Sequence, residues 1–219
     1  MYKTNELFDL EHTLAKPYLE KYEFPWTAIP EIKSIIIELI KTLDKEEYVE
    51  IKENVWIHKT VKVFESAYID GPTIIGKGSE VRHCAFIRGS ALIGENCVIG
   101  NSCEIKNAII FDNSEVPHFN YIGDSILGFH AHFGAGSVTS NIRSDRKDII
   151  IKDGELQYET SLRKIGALVG DYAEIGCNAV LNPGTILGRN TMVYPTSCVR
   201  GVIDEDHIYK VTDEIVPKQ

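Results

Sequence analysis

Two cations stand eighteen residues apart in the middle of the chain, Arg88 and Lys106. Two positive side chains that are held close together repel each other unless an anion lies between them. A guanidinium and an ammonium are both strong partners for phosphate oxygens. If the fold brings them together, the pair predicts a site for a phosphorylated ligand. Taken singly, each is more simply a solvated surface charge.

A histidine follows twelve residues later, in a segment that mixes proline, tyrosine and polar residues. His118 lies at the start of His-Phe-Asn-Tyr-Ile-Gly-Asp, and not among the regular aliphatic positions. Histidine commonly serves as a general base at neutral pH, although a lone histidine is usually structural. Further on, Gly134-Ala135-Gly136 would let a ligand approach the backbone closely. These residue types predict proton transfer beside a bound anion.

The element that must position these residues is a repeat of six. Every sixth residue is aliphatic in two long runs, and the spacing slips by one residue between them. The aliphatic positions are Ile57, Val63, Ile69, Ile75, Val81, Ile87, Ile93, Ile99, Ile105 and then Val169, Ile175, Leu181, Leu187, Val193, Val199. A period of six fits neither an α-helix nor an alternating strand. It predicts short strands joined by tight turns, three to a coil.

Coils of this kind stack like the strands of a parallel sheet, about 4.8 Å apart. A coil of three units has eighteen residues, so the repeat predicts that Arg88 and Lys106 lie one above the other. Each coil buries its aliphatic residues only against its neighbours, and the ends of the stack need caps. The sequence therefore predicts an all-β solenoid over residues 51–201.

Both flanks of the repeat differ from it. Residues 1–50 are predicted to form an arm and an amphipathic helix over 31–44, with apolar residues on one face. We interpret this helix as a cap on the open end of the solenoid, with a partner-binding helix as the alternative. Residues 202–219 are predicted to form a C-terminal arm or closing strand.

Residues 141–164 interrupt the repeat. Aliphatic residues on both sides of Asp153-Gly154 predict a β-hairpin with a tight turn at that dipeptide. The hairpin is expected to project from the solenoid. It could carry function, as loops on rigid scaffolds often do, or it could pack in a trimer.

Composition restricts the class of function. Apolar residues make up 43% and charged residues 25% of the 219 residues, which is typical of a globular protein. The net charge of −9 argues against nucleic-acid binding. No apolar run is long enough to span a membrane, and no secretory signal follows Met1, so we expect a cytoplasmic protein. Five cysteines without a CxxC pair are interpreted as reduced, small core residues.

With these motifs the chain resembles the hexapeptide-repeat acyltransferases, whose fold is a left-handed parallel β-helix. The resemblance implies that fold for this chain, and we expect the N-terminal helix to cap it. The chain is similar in particular to the acetyltransferase half of the bifunctional N-acetylglucosamine-1-phosphate uridylyltransferase / glucosamine-1-phosphate acetyltransferase family. The shared pattern is an Arg, a Lys one coil later, His-x-x-Tyr-Ile-Gly-Asp, Gly-Ala-Gly, Thr-x-Asn and a lysine. In this chain the pattern corresponds to Arg88, Lys106, His118 with Tyr121 to Asp124, Gly134 to Gly136, Thr139 to Asn141, and Lys147.

The resemblance implies roles for individual residues. Arg88, Lys106 and Lys147 would hold the sugar phosphate, Tyr121 and Asn141 would orient the sugar, and His118 would be the general base. Acetyl-CoA, as the co-substrate, would lie in a groove between subunits of a homotrimer. On the coenzyme side the implied residues are Ala135, Gly136, Cys177 and Arg200. The transfer requires no metal.

The chain departs from the family pattern at three places. His132 stands where the family has an asparagine that contacts the sugar, which leaves the acceptor open. Cys177 replaces the usual serine in the coenzyme groove. The 141–164 segment is longer than the family's loop. From the sequence we also expect no nucleotide-binding domain of the uridylyltransferase type before the solenoid.

Three functions remain open. The first is an acetyltransferase that acts on an amino-sugar phosphate or a nucleotide-linked amino sugar. The second is a non-catalytic module that binds a sugar phosphate or nucleotide sugar. The third is a zinc site of the γ-carbonic-anhydrase type, which the following histidines suggest: His83, His118, His130 and His132.

Overall fold

The computed structural model describes residues 1–210 and 215–217, and over most of that length the chain winds into a parallel β-solenoid. Three short strands make one coil, and each strand pairs in parallel with its counterpart in the next coil. The expected solenoid is therefore confirmed. We name its walls A, B and C in the order in which the chain enters them, and its corners AB, BC and CA by the walls they join.

The strands of the described residues are β1 (Tyr48–Lys52), β2 (Val55–His58), β3 (Lys62–Val63), β4 (Tyr68–Ile69), β5 (Thr73–Ile75), β6 (Glu80–Val81), β7 (Phe86–Ile87), β8 (Ala91–Ile93), β9 (Val98–Asn101), β10 (Glu104–Ile110), β11 (Glu115–His118), β12 (Tyr121–Leu127), β13 (His132–Phe133), β14 (Val138–Thr139), β15 (Ile150–Asp153), β16 (Leu156–Glu159), β17 (Ala167–Val169), β18 (Glu174–Ile175), β19 (Val180–Leu181), β20 (Thr185–Leu187), β21 (Met192–Val193), β22 (Cys198–Val199), β23 (Val202–Ile203), β24 (His207–Tyr209) and β25 (Ile215–Pro217).

Each wall is one stack of parallel strands. Wall A contains β2, β5, β8, β17, β20 and β23, wall B contains β3, β6, β9, β11, β13, β18, β21 and β24, and wall C contains β4, β7, β14, β19 and β22. The longer β10 and β12 turn corner CA and belong to both C and A. The register step is eighteen residues from Ile87 to Ile105 and seventeen from Ile105 to Ile122, as the slip in the repeat predicts.

The predicted end of the solenoid is too early. Strands β23 and β24 continue walls A and B in parallel beyond residue 201, and β25 then pairs antiparallel with β24. The inward Ile203 follows the inward Val199 after four residues instead of six, so the last coil is shorter and hides the six-residue period. Residues 211–214 and 218–219 of the expected C-terminal arm lie outside the described part.

The interior of the solenoid is the predicted aliphatic stack. The inward positions of successive coils form one buried cluster, which includes Ile87, Ile105, Ile122, Leu181 and Val199. The stacked turns leave no room for larger groups: a Cβ at Gly100 would lie 1.6 Å from the carbonyl oxygen of Pro117.

The expectation for the cysteines is correct at two positions and wrong at three. Cys97 and Cys103 are buried at corners, and burial raises the pKa of the Cys97 thiol to about 12. The other cysteines are exposed because they stand on the outer side of a turn or strand: Cys84, Cys177 and Cys198.

The N-terminal segment covers the outer face of wall A. It contains the helices α1 (Thr4–Leu7), α2 (Lys16–Leu19) and α3 (Ile32–Thr42) and the 3₁₀ turns Leu10–His12 and Pro25–Glu31. Helix α3 contacts β5, β8 and β10, so the expected position as an end cap is wrong. The helix packs on the side of the solenoid because the outward residues of wall A are also aliphatic and need to be covered. These fully buried residues are Ile74, Leu92, Ile109, Ile126, Leu168 and Ile186.

The open end before the first coil carries β1, which pairs antiparallel with β2. The predicted hairpin is confirmed as β15 and β16, with Asp153 opposite Leu156 across the turn. It does not stand free, because Ile149 and Ile151 are buried in the outer cluster together with the N-terminal segment. In residues 1–210 and 215–217 no helix is long and apolar enough to cross a membrane.

Candidate functional site

Most of the predicted site residues lie on wall C or at one of its two corners. Tyr121 is on the wall itself, and Arg88, Lys106 and Asn141 are at corner CA. His118 is at corner BC. Wall C is open between these corners, and its first coils border a cleft of about 720 Å³ that reaches Arg88. The structure thus brings the predicted residues to one side of the solenoid.

The stacking of the two cations is confirmed by the register. Glu104 and Ile105 of β10 pair with Phe86 and Ile87 of β7, so Lys106 follows directly beside Arg88 in the next coil. The repulsion between the two charges is relieved within the chain. An oxygen of Glu104 accepts from Nη1 of Arg88 at 2.6 Å, and Oδ2 of Asp124 accepts from Nζ of Lys106 at 3.1 Å.

Asp124 is the centre of a hydrogen-bonded group at corner CA. Its side chain is only 6% exposed, and it accepts from Lys106, from Nδ2 of Asn107 at 2.8 Å and from Nδ2 of Asn141. A buried carboxylate is costly unless charged and polar donors surround it. The group therefore fixes Lys106 and Asn141 in place at the end of wall C.

Tyr121 connects this group to the open wall. Its hydroxyl oxygen accepts from Nδ2 of Asn141 at 3.0 Å and lies over Gly123, where a Cβ would be 2.4 Å away. Burial, and then the nearby carboxylate of Asp124, raise the pKa of the Tyr121 phenol. Tyr121 therefore stays a neutral hydroxyl at physiological pH and can both donate to and accept from a ligand.

Apart from Arg200, the residues that the resemblance assigns to base and coenzyme share corner BC. The backbone N–H of Gly136 donates to the carbonyl of His118 at 2.9 Å, and the N–H of Asn178 donates to the carbonyl of Ala135 at 2.8 Å. Gly136 has φ +73°, and a Cβ there would meet Asn178 Oδ1 at 2.2 Å. His118, Ala135 and Cys177 thus lie in three successive coils of one corner.

His118 is exposed at this corner. Its backbone N–H donates to Oδ1 of the buried Asn120 at 2.9 Å, which holds the segment in place. Among the residues that the structure describes, none forms a hydrogen bond with the imidazole ring. The neighbouring Phe119 is 60% exposed and has φ +53°. Both rings therefore point to solvent beside the open face of wall C.

Three predicted residues lie apart from this group. His132 is on wall B, where Nδ1 is 2.9 Å from an oxygen of Glu174. Lys147 lines a cavity of about 270 Å³ beside the hairpin, separate from the space around Asp124. Arg200 is at corner CA near the end of the solenoid, where it lines a cavity of about 520 Å³ together with Arg143 and Lys152.

The carboxylate partners of the two cations, Glu104 and Asp124, were not predicted from the sequence. Asn141 stands seventeen residues after Asp124, which is one coil, and Asp124 lies one residue beyond Gly123, the residue that pairs with Lys106 in the next coil. Glu104 pairs with Phe86 of the previous coil and so lies close to Arg88. The repeat therefore signals the closeness of Glu104 to Arg88 and of Asn141 to Asp124, but the one-residue slip hides the contact of Asp124 with Lys106.

The histidines that suggested zinc do not converge within the chain. The ring of His130 stacks on Tyr172 at corner AB, and the ring of His83 lies against Phe64. Among residues 1–210 and 215–217 no three His, Cys, Asp or Glu side chains form a group that could hold a metal ion.

Comparisons with known proteins agree with the repeat and the motif. Residues 80–154 match the model of the GMPPB C-terminal domain, a stretch that contains Arg88, Lys106, His118 and Asn141. The Bifunctional protein GlmU of Methanococcus maripaludis strain C5 is 33% identical over 150 residues, which are 68% of this chain and 32% of that protein. The "Bifunctional sugar-1-phosphate nucleotidylyltransferase/acetyltransferase" of Sulfurisphaera tokodaii is 31% identical over 190 residues, which are 85% of this chain and 47% of that protein.

The resemblance inferred from the motifs is therefore confirmed. This chain is similar to the bifunctional GlmU proteins over most of its own length. It spans less than half of the length of the curated relatives reported above.

Proposed function

We propose that the chain is an acetyl-CoA-dependent acetyltransferase whose acceptor is an amino-sugar phosphate or a nucleotide-linked amino sugar. The proposal depends above all on the register that sets Lys106 beside Arg88, with Tyr121 between these cations and His118 along wall C. The similarity to proteins named as sugar-1-phosphate nucleotidylyltransferase/acetyltransferase supports it. We further propose a cytoplasmic homotrimer in which a neighbouring subunit completes the coenzyme groove.

The proposed reaction is acyl transfer to an amine. The amino nitrogen attacks the thioester carbonyl, a C–N bond forms, and the C–S bond of acetyl-CoA breaks. His118 takes the proton that the amine loses, and the coenzyme leaves as a thiol after protonation. Arg88 and Lys106 bind the acceptor's phosphate, while Tyr121 and Asn141 hold the sugar. A positioned base contributes typically about 10²–10⁴-fold to such a rate.

One observation favours a second function, that of a binding module without catalysis. Both cations already have carboxylate partners, and His132, in the position that contacts sugar in the family, is bonded to Glu174. A module of this kind would bind a sugar phosphate and not coenzyme A. Calorimetry with each ligand separately distinguishes the two functions.

The test of catalysis is His118→Ala, with acetyl transfer from acetyl-CoA measured on a panel of amino-sugar phosphates and nucleotide-linked amino sugars. We expect a loss of about 10²-fold or more in kcat. His130→Ala, at an exposed histidine on corner AB, is the matched control and should keep its activity. A wild type that acetylates no member of the panel would contradict the proposal.

A further inference from the structure

The backbone of His118 is held on both sides, although its ring points to solvent. The N–H of His118 donates to Oδ1 of Asn120 at 2.9 Å, and its carbonyl accepts from the N–H of Gly136 at 2.9 Å. Within residues 1–210 and 215–217 no hydrogen bond reaches the imidazole itself. The place of the imidazole therefore depends on this backbone, and Asn120 is the side chain that holds it.

Asn120 also connects His118 to the next coil. Its side chain is 2% exposed, and Nδ2 donates to the carbonyl of Gly134 at 2.8 Å and to the carbonyl and hydroxyl oxygens of Ser137 at 3.1 and 3.0 Å. The turn from Gly134 to Ser137 contains Ala135 and Gly136, which the resemblance assigns to the coenzyme. One buried amide thus joins the backbone of the candidate base to the turn on the coenzyme side.

The corner itself does not require an amide at this position. The strand register gives the residues that take the place of Asn120 in the other coils: Ala67, Ala85, Cys103, Ser137, Ala179 and Ser197. All of them are small and three are alanine, so corner BC can close without a hydrogen bond from this side chain. Among these described positions asparagine occurs once, two residues after His118.

We propose that Asn120 is a positioning residue for acetyl transfer, which fixes His118 at a set distance from the turn at Gly134 to Ser137. The assignment rests on the proposed function, in which His118 is the general base. A base must lie within hydrogen-bond reach of the proton that it removes. A displacement of about 1 Å can cost about 10²-fold in rate, so the support of an otherwise unbonded imidazole affects the chemical step.

The first experiment measures kcat and KM for acetyl transfer in Asn120→Ala and Asn120→Ser. Both substitutions introduce a residue that another coil already carries at the equivalent place, so the corner should still close. We expect kcat to fall by about tenfold or more, while KM for the acceptor stays within about threefold. Ser114→Ala, which removes a buried hydrogen bond to the carbonyl of Gly128 at corner AB, is the control and should keep its kcat.

The second experiment repeats Asn120→Ala in the His118→Ala variant. If Asn120 acts through His118, its removal there should change the residual rate by less than about twofold. A loss by the same factor in both backgrounds would show a merely structural role and would overturn the assignment. Asn120 variants that keep the wild-type kcat would overturn it as well.

Hydrogen exchange of the free protein separates this assignment from the proposed function. The amide of His118 should be protected in the wild type, and it should exchange about tenfold faster or more in Asn120→Ala but not in Ser114→Ala. A wild type that transfers no acetyl group but shows this pattern would remove the proposed function and leave the support of His118 by Asn120. Equal exchange in wild type and Asn120→Ala would overturn the assignment even in an active enzyme.

Discussion

Asp124 shows how one buried carboxylate can organise a corner of a solenoid. It accepts from an ammonium and two amides: Lys106 and Asn107 are neighbours in β10, and Asn141 lies further along the chain, after β14. The three donors satisfy the charge that burial would otherwise make costly. Through these hydrogen bonds Asp124 links two neighbouring coils to the first residue of the 141–164 segment, Asn141.

Replacing Asp124 tests this coupling. In Asp124→Asn the ammonium of Lys106 loses its counter-charge, and the new NH₂ group faces donors instead of acceptors. We expect the free energy of unfolding to fall by about 1–3 kcal/mol in urea denaturation.

Glu104→Gln is the matched control, because it breaks the Arg88–Glu104 pair in the neighbouring coil. Both members of that pair are more than a third exposed, at 44% and 34%. Because solvent screens an exposed pair, its loss should lower the free energy of unfolding much less than Asp124→Asn does. Equal effects of the two substitutions would show that Asp124 has no special place in the corner.

At the scale of elements, α3 and wall A depend on each other. The helix has one apolar face, and wall A presents outward aliphatic side chains that are as deeply buried as the inward ones. The outer layer follows from adjacent apolar pairs such as Ile74-Ile75 and Leu92-Ile93, in which one residue points to each side of the strand. This signal was available in the sequence, but the six-residue period alone selects only the inward member.

Leu92→Ala removes a fully buried side chain between α3 and wall A. We expect a loss of about 2–5 kcal/mol in the free energy of unfolding, because a cavity remains where the surroundings cannot collapse. Ile37→Ala, on the same helix but 37% exposed, should change stability by less than about 0.5 kcal/mol. If both variants were equally stable, α3 would not be packed on wall A in solution.

Tyr48, in the end strand β1, should make the stability of the protein depend on pH at alkaline values. Burial, and then the carboxylates of Glu95, Asp112 and Glu47, raise the pKa of Tyr48 to about 12. In the unfolded chain a tyrosine ionises near about pH 10, so between these values the unfolded state binds fewer protons than the folded state. Stability contributed by neutral Tyr48 is therefore present below pH 10 and is lost as the pH rises towards 12.

The measurement is urea denaturation of wild type and Tyr48→Phe at pH 9 and pH 11. We expect the phenylalanine variant to lose less stability between the two pH values. Tyr194→Phe, at an exposed ring, is the control and should keep the wild-type difference. A Tyr48→Phe variant with the full wild-type loss would contradict the expectation.

For the whole molecule, the sequence predicts what the repeat controls and little else. The six-residue spacing predicts the solenoid, the inward stack and the neighbouring positions of Arg88 and Lys106. A separate local signal, the turn dipeptide Asp153-Gly154, predicts the hairpin. The repeat does not predict how residues 141–164 and the N-terminal segment pack at corner CA, since the contacts of Arg163 with Arg146 and of Asn107 with Ile29 join segments that share no period.

The surface of the whole molecule predicts self-association. Tyr68 and Phe86 on wall C are 52% and 43% exposed, and Phe119 at corner BC is 60% exposed in a backbone conformation that is uncommon for a bulky residue. Aromatic side chains grouped on one face typically mark an interface. We expect a trimer of the 24.6 kDa chain in which Phe119 packs against a neighbouring subunit beside the coenzyme groove.

Sedimentation velocity of the wild type and Phe119→Asp tests this assembly. The carboxylate would be buried without a partner in the trimer, so the variant should dissociate to the monomer mass while its circular dichroism stays that of the wild type. Acetyl transfer should fall with the trimer population if the groove needs two subunits. Tyr172→Asp, at an aromatic residue of corner AB that is 52% exposed, is the control and should stay trimeric. A monomeric wild type at micromolar concentration would mean that wall C binds its ligands without a second copy.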